Sequence, residues 1–119
     1  RKEIGACMIH AEFQMKPNSD EFTKVTVSGH AGFDAYGYDV VCASVSALVI
    51  ATINGLEEYV GLQTDVEVAE GDVSFLIQPI DEHTTVQAQT LAHTLHMALE
   101  GIKEEYSDFV EVAITEEKI

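Results

Sequence analysis

The sequence predicts an α+β fold: a mainly antiparallel sheet with two helices, in the order β-β-α-β-β-α-β. Three observations lead there. Two stretches repeat apolar residues at helical spacing, shorter ones alternate apolar with polar residues as strands do, and turn-forming segments join strands into local pairs. Local hairpins supply antiparallel pairing and leave both helices free to cover one sheet face.

The first strand is read from Ile4, Ala6, Met8 and His10, alternating with Gly5, Cys7, Ile9 and Ala11 and ending at the turn Lys16-Pro17-Asn18-Ser19-Asp20. The second covers residues 22–28. Phe22, Lys24, Thr26 and Ser28 share one of its faces, and Val25 and Val27 point inward on the other. The first helix runs from residue 40 to about 59, with Asp39 as its cap, Cys42 in its first turn and Gly61 as its stop. Its apolar residues, from Val40 and Val41 through Leu48, Val49 and Ile50 to Leu56, cover more of the helix than one sheet face can hide. A second apolar partner is therefore expected. It is either the same helix of another copy, in an isologous dimer, or the other helix of the same chain.

Residues 64–69 and 73–78 form a hairpin through Glu70-Gly71-Asp72, and Pro79 ends it. A second helix follows from residue 81 to about 106, with Leu91, Leu95, Ala98, Leu99 and Ile102 at helical spacing, and residues 108–115 alternate as a last strand.

At 119 residues the chain is expected to form a single domain over residues 1–119. No run reaches about 18 uninterrupted apolar residues, and Arg1-Lys2 is followed too soon by Glu3, His10 and Glu12 for a signal peptide, so a soluble cytoplasmic protein with no membrane partner is expected. In that compartment Cys7 and Cys42 are read as thiols rather than a disulfide, with Cys7 an inert core residue. The formal charge of −15 repels phosphate backbones, which excludes direct nucleic-acid binding as an expectation, and attracts basic partners. Such acidity serves solubility or the capture of a cationic substrate, and composition leaves both open.

The chemistry is concentrated in His30 and Cys42. A cysteine at a helix start feels the positive end of the helix dipole, which favours thiolate, and an imidazole at a nearby strand end can take and return the proton. The intervening loop carries Gly32, Gly37, Phe33, Tyr36 and Tyr38, a composition suited to a cover over a peptide groove. It lacks the spacing of a phosphate-binding loop. His93, His96 and Glu100 share a helix face but have too few companions for a metal centre, so they are read as partly packed polar positions, with no metal and no cofactor expected.

The block Gly29-His30-Ala31-Gly32, followed by Asp39-Val40-Val41-Cys42-Ala43-Ser44-Val45-Ser46, resembles the signature of the bacterial ribosomal-processing cysteine proteases, the Prp family. The resemblance extends over essentially the whole chain. It implies a small homodimeric endopeptidase that removes the basic N-terminal extension of large-subunit ribosomal protein twenty-seven, in support of ribosome assembly. The family's catalytic Cys and His fall on Cys42 and His30, its acidic residue on Asp39 and its serine on Ser46. Asp39 thus has two readings, an orienting partner for the imidazole or a helix cap. Ser46, one turn beyond Cys42 on the same face, is assigned to substrate binding with Phe33, Tyr36 and Tyr38. Two rival readings remain: a non-catalytic acidic dimer that captures a basic ribosomal protein, and a thiol redox sensor built on Cys42.

Overall fold

The computed structural model describes residues 8–29, 38–69 and 71–118, with the side chains of Tyr38 and Asp39 excepted. Strand β1 (Ile9–Met15) buries Ile9, Ala11 and Phe13 and turns His10 and Glu12 to solvent, the period-two pattern of a strand covered on one face. Strand β2 (Phe22–Ser28) pairs with it antiparallel, and the intervening turn passes through Asn18 at φ 59°. The hairpin of β3 (Glu67–Ala69) and β4 (Asp72–Leu76) adds to β2 through β4, again antiparallel. The last strand, β5 (Val110–Glu116), lies parallel to β1 on the other side. The sheet order is β3-β4-β2-β1-β5, mainly antiparallel as expected.

Phe22 departs from the face expected of it. Gln14 pairs with Lys24 but Met15 pairs with Phe22, so Thr23 is an extra residue, and this bulge turns Phe22 inward beside Val25 and Val27. Gln89 spans the bulge from the helix above. Its amide Oε1 accepts from the Phe22 N–H and its Nε2 donates to the Phe22 carbonyl, each at 2.8 Å.

Helix α1 (Tyr38–Asn54) continues into a π-helical turn, Gly55–Val60, and stops at Gly61 with φ 84°. Helix α2 (Glu82–Glu105) starts at a capping box in which the Asp81 carboxylate accepts from the Thr84 N–H at 2.8 Å. That bond and the Thr84 hydroxyl hold the Asp81 carboxyl below its ordinary pKa. The two helices touch where α1 ends. A Cβ added at Gly55 would sit 3.1 Å from Leu91, so the small residue permits the close approach.

One core cluster joins the layers: Val41, Val45, Val49 and Leu56 from the first helical segment, Ala88, Ala92, Leu95 and Leu99 from α2, and the inward strand residues, with Phe13, Phe22 and Phe75 the largest. Burying each such phenylalanine contributes about 1.5–3 kcal/mol. Leu48 and Ile53 are partly buried against the same cluster, so the molecule's own α2 and sheet cover much of the surplus apolar surface of α1, while Val40 and Ile50 stay exposed. Residues Val40–Val60 are long and apolar enough to cross a bilayer by length and composition, but here they serve as a core-packing helix.

The hairpin is shorter than expected on its first side. Asp65 adopts φ 47°, which interrupts the extended backbone, and β3 begins only at Glu67, although the Thr64 carbonyl still accepts from the Leu76 N–H at 2.7 Å.

Candidate active site

The candidate residues His30 and Cys42 follow two described segments along the chain, the end of β2 and the start of α1. At the strand end Gly29 has φ +90°, and its N–H donates to the Gly71 carbonyl at 2.9 Å. A Cβ there would stand 2.2 Å from the Met8 carbonyl oxygen, a clash with backbone that cannot swing away. Glycine is thus required, and it sets the direction in which the chain leaves the sheet for His30. His30, Phe33 and Tyr36 lie outside the described residues, as does Cys7.

Helix α1 begins at Tyr38, two residues before the expected start, so Tyr38 and Asp39 fall in its first turn. Asp39 is therefore inside the helix rather than at the cap position expected for it. Cys42 becomes the fifth helical residue, about 6 Å along the axis from the first. The N–H groups of residues 38–40 have no partner within the helix and project beyond its N-terminal end. They supply a concentration of donors and positive potential one turn from the sulfur, which favours thiolate and can hold a developing oxyanion. Cys42 is half-buried between Val41 and Val45, which both insert into the core, so the helix cannot roll without unpacking its buried face.

Ser46 lies one turn beyond Cys42 and is also half-buried. It opens onto a groove of about 260 Å³ whose helix side is Val45, Ser46, Val49, Ile50 and Ile53. The opposite wall is Val66, Val68 and Val73 from the hairpin. The strand wall was not singled out from the sequence. Its signal was the apolar residue at every second hairpin position, which β-strand alternation alone explains equally well.

His93 and His96 do not converge on a ligand. His93 stacks on Phe22 with ring centroids 4.3 Å apart, and its Nε2 lies 2.7 Å from the Asp20 carbonyl. His96 meets Phe13 edge-on at 4.9 Å, and its Nε2 is shielded from water with no hydrogen-bond partner among the described residues, since Glu100 Oε2 at 3.5 Å is too distant for a good bond. Burial pushes the His96 pKa down, against the opposing pull of Glu100. Among the described residues no three His, Cys, Asp or Glu side chains gather to hold a metal ion.

A cysteine set near the start of a packed helix, with backbone donors ahead of it and an apolar groove behind, is the layout of a thiol hydrolase acting on an extended substrate. The family comparison agrees. The model of the cysteine protease Prp family matches residues 8–111, and the chain belongs to that family of cysteine-type peptidases.

A Staphylococcus aureus protein called ribosomal processing cysteine protease Prp is 30% identical over 86 residues, which cover 72% of this chain and 80% of the relative. Its Bacillus subtilis namesake is 29% identical over 89 residues, with the same shares covered. Among solved structures, a Streptococcus mutans protein superposes with a TM-score of 0.81 at 26% identity, over 92% of this chain and 96% of that one. The S. aureus Prp protease, crystallised with a substrate peptide, gives 0.79 at 23% identity, over 91% of this chain and all of that one, which is a likeness of fold.

Proposed function

We propose that this protein is a ribosomal-processing endopeptidase that removes the basic N-terminal extension of large-subunit ribosomal protein twenty-seven in the cytoplasm. The observation that carries the reading is the position of Cys42, half-buried near the positive end of α1 and aligned with the apolar groove. The Cys42 sulfur attacks the scissile carbonyl carbon, and its proton passes to the His30 imidazole. The helix-start amides hold the oxygen as it gains charge. Collapse of the tetrahedral intermediate breaks the C–N bond, His30 returns the proton to the leaving amine, and a thioester remains on Cys42. His30 then draws a proton from water, whose oxygen displaces the thiolate and releases the second product.

In this reading Asp39 orients His30 from the first turn of α1. Phe33, Tyr36 and Tyr38 close over the peptide, and Ser46 contacts it. The formal charge of −15 raises the local concentration of a Lys-rich segment near the surface. Self-association as a homodimer belongs to the same reading. It is supported by exposed Val40 and Ala47, which lie on the outer side of α1 away from the groove.

The test mixes the purified protein with a peptide spanning the extension and start of ribosomal protein twenty-seven, beside Cys42→Ala and His30→Ala variants, with products read by mass spectrometry. One defined cut by the parent and by neither variant is expected. Intact peptide bound equally by all three would replace the protease with a capture module. Sedimentation equilibrium of the parent checks the dimer.

A further inference from the structure

Strand β5 forms one edge of the sheet, and among the described residues it pairs with β1 alone. The Ile9 N–H donates to the Phe109 carbonyl at 2.8 Å and the Glu117 N–H to the Met15 carbonyl at 2.7 Å. The odd-numbered residues along β5 thus turn their backbone groups toward β1, and the N–H and C=O groups of Val110, Val112, Ile114 and Glu116 point away from the sheet along a free edge. Proteins usually blunt such an edge by keeping it short, by a bulge, by proline or by charge. β5 pairs without a break in register from Val110 to Glu116 and contains no proline, whereas the opposite edge strand, β3, is only three residues long. Ile114 is 49% exposed although Val110 and Val112 on the same face are buried, so its open side lacks a cross-strand neighbour.

Charge selects what this edge accepts. Residues 104–117 hold Glu104, Glu105, Asp108, Glu111, Glu116 and Glu117 and no Lys, Arg or His. Glu111 lies 3.0 Å from His10 Nδ1 on the neighbouring strand, and both side chains stay more than half exposed. A second copy laid against β5 would set these carboxylates against their own kind, which is destabilising. A strand bearing Lys or Arg at alternate positions would meet them with opposite charge. Position adds to the case. Ser28, at the end of β2 that leads toward His30, is level with His10 and Glu111 across the sheet. With strands about 4.8 Å apart, a peptide outside β5 would lie about 14 Å from Ser28, a span of about four to five extended residues.

We propose that the free edge of β5 is a docking strand for the Lys-rich part of the substrate, which adds to the sheet as an extended segment roughly five or more residues from the scissile bond. Backbone hydrogen bonds hold the segment, and Glu111 and Glu116 pair with its cations. The site lies at the other edge of the sheet from the hairpin that walls the apolar groove. The proposal rests on the ribosomal-processing reading for the identity of the peptide, and it adds a second contact away from the bond that is cut.

The experiment follows amide hydrogen exchange of Cys42→Ala protein by NMR, with and without the peptide spanning the extension and start of ribosomal protein twenty-seven. At saturating peptide, exchange of the Val112 and Ile114 N–H groups is expected to slow about fivefold or more, as for a newly made backbone hydrogen bond. Peptide affinity, read by fluorescence anisotropy, is then compared among Ile114→Pro, Ile114→Thr and Glu111→Lys in the same background. Proline at this position removes an N–H that β1 does not use, threonine keeps it, and circular dichroism checks that both fold. Ile114→Pro is expected to bind about fivefold to tenfold more weakly than Ile114→Thr. Glu111→Lys should weaken binding severalfold at low salt, while Glu58→Lys, the same charge change at an exposed position on the π-helical turn, alters it little. A peptide that the parent cuts but that protects neither amide would overturn the docking strand alone. Protection of both amides in a protein whose parent does not cut would overturn the protease reading and leave the docking strand. Protection that grows with protein concentration in the absence of peptide would assign the edge to self-association and overturn the proposal.

Discussion

Replacing Gly29 with alanine tests whether the strand end positions the active site, and Gly61 provides an internal standard. Both glycines have nearly the same left-handed backbone, φ +90° and +84°, but a Cβ at Gly61 meets nothing within 4 Å, whereas at Gly29 it meets the Met8 carbonyl oxygen at 2.2 Å. The conformational cost of alanine at such φ is about 1–2 kcal/mol, partly offset by the stiffer unfolded chain, so Gly61→Ala should lose about 1 kcal/mol. Gly29→Ala must also relieve the contact. Displacing β1 would cost a further 1–3 kcal/mol, roughly the penalty of overpacking, and peeling Gly29 from Gly71 would forfeit a hydrogen bond worth about 1 kcal/mol. Either route widens the gap between the two variants by at least about 1 kcal/mol, and either moves the peptide bond leading into His30.

Urea unfolding of both variants reads the gap, provided the m-values agree. Peptide turnover reads the displacement, with a loss of about a hundredfold expected for Gly29→Ala, as for misplacement of a reacting group by an ångström, and little change for Gly61→Ala. Equal stability losses, or a Gly29→Ala enzyme with parental turnover, would refute the argument that Met8 and Gly71 fix the exit from β2.

Gln89→Leu leaves the Phe22 amide and carbonyl without their bridge across the bulge and should destabilise by about 2 kcal/mol, read as a lower urea midpoint. Gly101→Ala, in α2 with open space around its Cβ, should stabilise by about 0.5–1 kcal/mol in the same assay. Because burial depresses the His96 pKa, the unfolded chain binds its proton first. The stability contributed by keeping His96 neutral is complete above the unfolded pKa of about 6.5 and is lost as pH falls through the folded value. His96→Phe, which keeps an aromatic ring against Phe13, should therefore flatten the fall in thermal midpoint below pH 6.5, and an unaltered slope would count against it.

The legible parts of this fold are those in which local pattern and tertiary burial agree. Val25 and Val27 alternate and are buried, the apolar repeat expected from residue 81 becomes α2 from Glu82, and Gly61 ends the first helical segment. Phe22 was misread because a bulge reverses parity, and nothing local to residues 22–28 marks Thr23 as the extra residue. The start of α1 and of β3 slipped by two and three residues, since helical Tyr38 and the positive φ of Asp65 answer to tertiary placement rather than to propensity. The place of Cys42 near the start of an apolar helix was legible. The groove was not, because it is made by Ile50 and Val68 meeting across space, and their sequence neighbourhoods read as ordinary core.

The pairing of β2 with β4 also bears on when the site can come into being. The hairpins β1–β2 and β3–β4 close over short turns and can form within microseconds, but Ser28 finds Asp72 only after the whole of α1 has been looped out between them, and Ile9 finds Val110 across about a hundred residues. The Gly29–Gly71 bond lies at the end of the first of these distant pairings, next to His30. Partly folded chains would thus possess hairpins and helix well before the strand end is locked against Gly71. The end of β2 would be fixed among the last events of folding, after the helix that carries Cys42 has formed.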